Sequence, residues 1–173
     1  MINTHGDGDH CAGTFEFEEI KISEGDYYNC KLNERFVNCK ASFINEGDII
    51  DIGGRKLEII EIPGHTKGSI AILDIDNKML FPGDSIQTGN IFMFGDHRDV
   101  SVFGESLRKL ISRKNDYEYI YPSHDTSELP KDYAEKVLED WMEYLDGKIE
   151  GFDIDVHGNK VKCFKGRNCG FLV

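Results

Sequence analysis

The chain has 173 residues, of which 39% are hydrophobic, and a formal net charge of −12. This length suits one domain, and the sequence contains no apolar run long enough to cross a bilayer. The acidic balance argues against a nucleic-acid partner, because phosphate binding needs clustered Lys and Arg. The chain begins without the basic and apolar segments of a signal peptide, so we expect a cytoplasmic protein with no membrane partner.

The cysteines predict neither a disulfide framework nor a zinc finger. They are odd in number and contain no C-x-x-C pair. Reduced thiols in a reducing compartment are therefore expected. Cys11 is set apart from the others because it directly follows His10. The five positions are Cys11, Cys30, Cys39, Cys163 and Cys169.

Strand patterns dominate the first half of the chain. Gly53-Gly54 and Asp76-Asn77 are turn signals between successive apolar segments, so this half predicts a meander of hairpins. The period-two alternation rests largely on β-branched residues. The predicted strands are 18–23, 48–53, 57–62, 68–74 and 78–81.

Helical patterns appear in the second half. An apolar stripe at helical spacing predicts a helix over 102–114, and a buried strand follows at 117–121. Pro130 and Gly147 mark the start and the end of a second predicted helix, 130–146. This order of elements predicts a sheet that is covered on one side by helices. The last predicted strands are 152–157, 160–164 and 170–173.

Residues 5–10 read His-Gly-Asp-Gly-Asp-His. Because Asp9 and His10 are adjacent, these side chains share neither one helix face nor one side of a strand. The spacing predicts a loop, in which the glycines let several side chains converge on one point. Imidazole and carboxylate together are a ligand set for zinc, iron or manganese. For this segment alone, an acidic turn with two surface histidines is the alternative.

Three further ligand-type side chains follow predicted strands. His65, Asp84 and His124 each come two residues after a proline that directly follows a strand. Strand ends along one edge of a sheet can direct side chains toward a common centre. The three contexts predict that these residues join the segment 5–10 in one site.

In this order, the motifs resemble the metallo-β-lactamase superfamily, in particular its small hydrolases of the glyoxalase II type. The family signature H-x-H-x-D-H appears as a variant in residues 5–10, followed by PGHTKGS, LFPGDS and YPSHD. The resemblance covers nearly the whole chain and implies one domain over 1–173 with an α/β (α+β) fold, the αββα sandwich. It implies a first metal site of His5, Asp7 and His65, a second of Asp9, His10 and His124, and a bridging Asp84.

The resemblance also implies a reaction. Two divalent ions, with zinc expected and iron or manganese as alternatives, would hold a hydroxide that attacks a small-molecule ester, thioester or lactone. Asp9 would orient this hydroxide and accept its proton, and Asp84 would hold both ions. Two other functions stay open: an iron-dependent redox enzyme of the same fold, and a metal-binding module without catalysis.

The sequence departs from the family pattern in two places. Asp7 stands where the family commonly has a second histidine, which shifts the expected metal toward iron or manganese. The signature begins at His5, whereas the family normally places several strands before it. We therefore expect a domain that lacks its first strands and exposes a sheet edge. Two explanations stay open: a second copy covers this edge in a homo-oligomer, or the chain is a truncated gene product.

Other polar residues have open roles. His97 and Arg98 lie in a polar loop after the Asp84 strand, where either side chain could contact substrate. For His97, an exposed loop histidine paired with Asp96 or Asp99 is the favoured interpretation. Asp125 either orients a ligand histidine or is a surface charge. His157 is expected to be an exposed or structural residue of a hairpin turn.

Overall fold

The computed structural model describes residues 1–32 and 39–173. The helices are α1 (Gly8–Cys11), α2 (Glu24–Leu32), α3 (Phe103–Ser112) and α4 (Tyr133–Leu145), with a 3-10 turn at Thr14–Glu16. The strands are β1 (Glu19–Ile22), β2 (Lys40–Phe43), β3 (Ile49–Asp51), β4 (Lys56–Glu61), β5 (Ile70–Asp74), β6 (Met79–Phe81), β7 (Asn90–Phe92), β8 (Tyr119–Ile120), β9 (Leu129–Pro130), β10 (Gly151–Val156), β11 (Asn159–Lys165) and β12 (Gly170–Leu172).

A six-stranded sheet in the order β3-β4-β5-β6-β8-β9 is the centre of the fold. β4 is antiparallel to β5, β5 is antiparallel to β6, and β6 is parallel to β8. It follows that β4, β6 and β8 run in the same direction. Their carboxyl ends therefore lie at the same edge of the sheet.

Alternation along β4 places apolar residues on both faces of this sheet. Ile60 belongs to the largest buried cluster, which also contains Trp141 of α4 and Phe103 of α3. Its neighbour Ile59 points to the opposite face and packs in a separate cluster with Ile44. Both faces are covered, which explains why the central strands are almost continuously apolar.

Two smaller sheets complete the described structure. The order β10-β11-β12-β7 forms a four-stranded sheet, and Phe171 of β12 contributes to the largest buried cluster. β1 and β2 pair in parallel, and Ile2 forms a bridge with Lys21 of β1. Residues 1–4 thus run alongside β1.

Most predicted elements are confirmed, including the meander of hairpins β3 to β6 and the terminal hairpin β10–β11. The predicted start of the second helix is wrong. Pro130 pairs within β9 against β8, and α4 begins at Tyr133. Helix α2 was not predicted, because its sequence has no apolar stripe at helical spacing. In the structure, only Asp26 and Cys30 of this helix are buried.

None of the helices within 1–32 and 39–173 combines the length and the apolar character needed to cross a bilayer. The pairing of a sheet edge with a second copy stays a prediction.

Candidate metal centre

The three ligand-type residues that follow strands lie at one edge of the six-stranded sheet. His65 follows β4, Asp84 follows β6 and His124 follows β8. These strands run in the same direction, so their ends bring the three side chains together. The arrangement is the one expected from the strand ends in the sequence.

The segment 5–10 enters at the same edge. The carbonyl oxygen of Thr4 accepts a hydrogen bond from Ile70 N, at the first residue of β5, with an N–O distance of 2.9 Å. The prediction of a loop is only partly right. Residues after Asp7 form the single helical turn α1, in which Cys11 N donates to Asp7 O at 3.0 Å.

A buried carboxylate ties this segment to the loop of His65. Asp26 of α2 accepts hydrogen bonds from Gly6 N at 2.6 Å, Thr66 Oγ1 at 2.6 Å and Gly68 N at 3.0 Å. A Cβ atom at Gly6 would lie 2.6 Å from the Asp26 carbonyl oxygen, so only glycine permits this close approach. Asp26 was missed at the level of sequence, because it belongs to no ligand motif and to a helix without an apolar stripe.

The first site, defined as His5, Asp7 and His65, is buried. The Nε2 atoms of His5 and His65 are 3.3 Å apart. Asp7 Oδ2 lies 3.7 Å from His5 Nε2 and 3.4 Å from His65 Nε2. Both histidine side chains are 1% exposed and the Asp7 side chain is 20% exposed.

The second site, defined as Asp9, His10 and His124, faces solvent. The two Nε2 atoms are 3.3 Å apart, and Asp9 Oδ2 lies 3.5 Å from His10 Nε2 and 3.3 Å from His124 Nε2. The Asp9 and His124 side chains are 62% and 42% exposed. The two sites together contain six of the seven predicted ligands.

Asp84, the seventh, lies between the two sites. Its Oδ1 is 3.2 Å from His10 Nε2, and its Oδ2 is 3.2 Å from His124 Nε2 and 3.8 Å from His65 Nε2. Oδ1 is buried, and apart from the ion-pair contact with His10 it has no hydrogen-bond partner among the described residues. A buried carboxylate oxygen of this kind is costly unless a cation lies close to it.

The spacing of these atoms fits divalent ions. Ligand atoms bound at about 2.0–2.1 Å in a tetrahedron are about 3.3–3.4 Å apart, close to the separations in both sites. His5, His65 and Asp84 offer ligand atoms that all lie within 4.8 Å of one another, and so do Asp9, His10 and His124. The donor set of imidazole nitrogens and carboxylate oxygens suits zinc, iron or manganese.

Comparison with known proteins identifies the family. A model of the metallo-beta-lactamase superfamily matches residues 40–124, which include His65, Asp84 and His124. The chain belongs to the metallo-β-lactamase superfamily.

Relatives with similar sequences include a thioesterase and a hydrolase. The acyl-coenzyme A thioesterase MBLAC2 of Gallus gallus is 28% identical over 152 residues, which cover 71% of this chain and 55% of the relative. The hydroxyacylglutathione hydrolase of Rhodopseudomonas palustris is 29% identical over 134 residues, which cover 72% and 48%. The chain thus spans about half the length of these two relatives.

Solved structures of the superfamily share the fold. The metallo-beta-lactamase family protein TTHA1429 from Thermus thermophilus aligns with a TM-score of 0.69 at 16% identity, over 86% of this chain and 62% of the other. This agreement confirms the α/β, metallo-β-lactamase-like fold that the motifs predicted.

The charges around this metallo-β-lactamase centre favour a cation. Burial, followed by the neighbouring His65 and His10, lowers the pKa of His5 to about 3, so its ring is neutral at neutral pH. Burial by itself raises the pKa of Asp84, but the nearby histidines outweigh it and the pKa falls to about 2. His5 and Asp84 therefore combine a neutral imidazole with an ionised carboxylate, as metal binding requires. For His10, burial lowers the pKa, but the hydrogen bond and charge of Asp84 outweigh it and the pKa is raised.

Additional hydrogen bonds orient the histidines of the first site. Thr4 Oγ1 lies 3.0 Å from His5 Nδ1, and the carbonyl oxygen of Phe92 lies 2.9 Å from His65 Nδ1. These contacts engage Nδ1 of each ring, so Nε2 is the ring nitrogen that faces the centre. Within the described part of the chain, His10 and His124 have no such bond at Nδ1.

A cleft of about 730 Å³ opens over the centre. Gln87 and Asn90 form part of its wall, and Gln87 Nε2 donates to Asn90 O at 2.8 Å. His157, at the turn between β10 and β11, also lines the cleft. The hairpin turn was predicted, but its position beside the candidate metal ligands depends on the packing of the four-stranded sheet.

The polar loop after β7 contributes a charged side chain. Arg98 Nη2 donates to Asp7 Oδ2 at 2.7 Å, so Arg98 contacts a candidate metal ligand. His97 is half-buried, and its carbonyl oxygen accepts a hydrogen bond from Lys67 N. Asp125 lines the cleft but bonds to none of the described ligand histidines, which favours its interpretation as a surface charge.

Proposed function

We propose that this chain is a metal-dependent hydrolase that cleaves a small-molecule ester, thioester or lactone. One observation carries the proposal: seven ligand-type side chains from four separate segments converge in two groups that share Asp84. Such convergence has no role in packing, because it places three carboxylates close together. Two divalent ions, with zinc expected and iron or manganese as alternatives, would compensate this charge.

Bound divalent ions would lower the pKa of a water molecule and stabilise the negative charge that develops on a substrate oxygen. Asp9 is the residue placed to handle the proton. It is the most exposed carboxylate of the centre, and it lines the cleft together with Asp84. A carboxylate in this position can orient water toward the substrate and accept its proton.

The cleft suits a small molecule. Its volume of about 730 Å³ lies within the range of about 300–1,000 Å³ that is usual for small-ligand pockets. Phe92 provides an apolar surface, and Gln87 and Asn90 provide polar groups. The two relatives are named as a thioesterase and as a hydroxyacylglutathione hydrolase, so thioesters are the first substrate class to test.

The test combines metal analysis with turnover. The purified chain, loaded separately with zinc, iron or manganese, is assayed on a panel of acyl thioesters, esters and lactones. We expect about two equivalents of metal per chain and hydrolysis of a thioester. Asp9→Asn should reduce kcat by about 100-fold or more, since it removes the proton acceptor.

Asp153→Asn is the matched control. Asp153 is also an exposed aspartate, 79% accessible, but it pairs with Lys162 on the terminal hairpin. Its variant should keep both metal and turnover. Full metal content without hydrolysis of any substrate would contradict the proposal and favour a non-catalytic metal-binding module. Activity that requires iron and a redox substrate would favour the redox enzyme.

A further inference from the structure

Arg98 is a fixed cation at the first site. Its Nη2 donates to Asp7 Oδ2 at 2.7 Å, and its Nη1 donates to the carbonyl oxygen of His65 at 3.0 Å. The side chain is only 13% exposed. A guanidinium that is buried to this extent needs a charged partner, and Asp7 is that partner.

The backbone holds Arg98 in this place. Lys67 N donates to His97 O at 2.9 Å, and Asp99 N donates to Gly64 O at 2.8 Å. The loop that carries Arg98 is therefore attached on both sides of His65. The guanidinium is positioned by the same loop that positions a metal ligand, so its contact with Asp7 does not depend on a long, mobile surface side chain.

The guanidinium uses the atoms that a metal would need. Asp7 Oδ2, which accepts the hydrogen bond from Arg98, is also the oxygen nearest to Nε2 of His5 and of His65. In addition, Arg98 Nη1 lies 3.3 Å from His65 Nε2. Metal and guanidinium thus compete for one carboxylate oxygen, and their positive charges repel each other.

The second site has no comparable cation. Within 1–32 and 39–173, no Lys or Arg forms an ion pair or hydrogen bond with Asp9, His10 or His124. The two sites differ in this respect although their ligand spacings are alike.

We propose that Arg98 is a built-in competitor of the metal in the first site. Arg98 is the counter-ion of Asp7 in the metal-free chain. A metal ion that enters the first site has to share Asp7 with Arg98 or displace the guanidinium from it. Arg98 therefore lowers the metal affinity of the first site selectively and leaves the second site unchanged. This role rests on the proposed function, because it presumes the two metal sites.

The test measures zinc affinity one site at a time, with a competing chromophoric chelator and metal-free protein. His10→Ala/His124→Ala retains only the first site, and His5→Ala/His65→Ala retains only the second. Arg98→Met is then added to each background, since methionine keeps an unbranched side chain but carries no charge. We expect zinc to bind about tenfold or more tightly in the first background and to change by less than about twofold in the second.

Two further variants separate charge from folding. Arg98→Lys keeps the positive charge, so the affinity of the first site should stay low. Arg113→Met is the matched control, because Arg113 is also partly buried and pairs with Glu58 through two hydrogen bonds far from the centre. It should leave both affinities unchanged, and thermal unfolding of each metal-free variant checks the fold.

Several results would overturn the role of Arg98. They are an unchanged or weaker first site in Arg98→Met, an equal gain in both backgrounds, and a gain in Arg98→Lys as large as that in Arg98→Met. Zinc binding to neither background would refute the metal centre and with it the proposed function. Tight, selective zinc binding without turnover would refute only the hydrolase activity.

Discussion

The two halves of the candidate metal centre have similar candidate ligands in different surroundings. In the first site, both histidines are buried and each has a second hydrogen bond, to Thr4 or to the Phe92 carbonyl oxygen. In the second site, Asp9 and His124 face the cleft. One half is thus oriented by the protein interior, and the other is accessible from the cleft.

This contrast separates two requirements of a catalytic metal site. Ligands that are oriented by further hydrogen bonds bind metal in a defined geometry. Ligands at the surface leave room for water and substrate. Because Asp84 contacts both halves, it connects the rigid half to the accessible one.

Replacing the shared ligand tests whether the two halves form one centre. Asp84→Ala should remove most of the metal from both sites and abolish hydrolysis, because it deletes the carboxylate that contacts histidines of both. Elemental analysis after desalting measures the loss. Asp125→Ala is the control, since Asp125 lines the same cleft without a bond to a described ligand histidine. Near-normal metal content in Asp84→Ala would refute the bridging role.

Removing the buried carboxylate behind the first site tests its rigidity. Asp26→Ala leaves Gly6 N, Thr66 Oγ1 and Gly68 N without their acceptor, at about 1–3 kcal/mol for each unsatisfied donor. We expect the free energy of unfolding of the metal-free chain to fall by about 3 kcal/mol or more, as measured by urea denaturation. The metal affinity of the first site should fall as well.

A second buried aspartate provides the control for Asp26. Asp140 of α4 is equally buried and accepts hydrogen bonds from Asn168 N and Cys169 N, away from the metal centre. Asp140→Ala should lower stability to a similar extent and leave zinc affinity unchanged. Equal effects of the two variants on zinc affinity would show that Asp26 has no specific role at the centre.

Replacing one histidine in each half compares how much the buried and the exposed ring contribute to the free energy of unfolding. His65→Ala should lower the free energy of unfolding of the metal-free chain by about 2 kcal/mol, because a buried, hydrogen-bonded ring is lost. His124→Ala should change it by no more than about 0.5 kcal/mol, since its ring is exposed. Urea denaturation compares the two. Equal destabilisation would remove the contrast between the halves.

The smallest effect is expected from the hydrogen bond to His5. Thr4→Val keeps the shape of the side chain but loses the contact to Nδ1. The affinity of the first site for zinc should fall about tenfold, as is usual when a residue that orients a ligand is lost. The second site should not change. A chelator-competition titration reads both affinities, and a loss confined to the second site would contradict the assignment of His5.

Much of the site was predictable because its ligands occur in short motifs. His65, Asp84 and His124 each follow a strand, and the direction of β4, β6 and β8 makes their ends coincide. Asp26 was not predictable, because its role depends on the packing of α2 against two loops. Arg98 was uncertain for the same reason: its loop could face solvent or substrate until the contacts with the His65 loop were known.

The sequence by itself determined the superfamily, the seven candidate ligands and most strands, since these depend on local residue patterns and on their order along the chain. Only the tertiary structure decided the burial of each ligand, the pairing of Arg98 with Asp7 and the presence of His157 at the cleft. These features join residues that are distant in the sequence. Burial and charge pairing arise from contacts between such residues, and no local pattern specifies them.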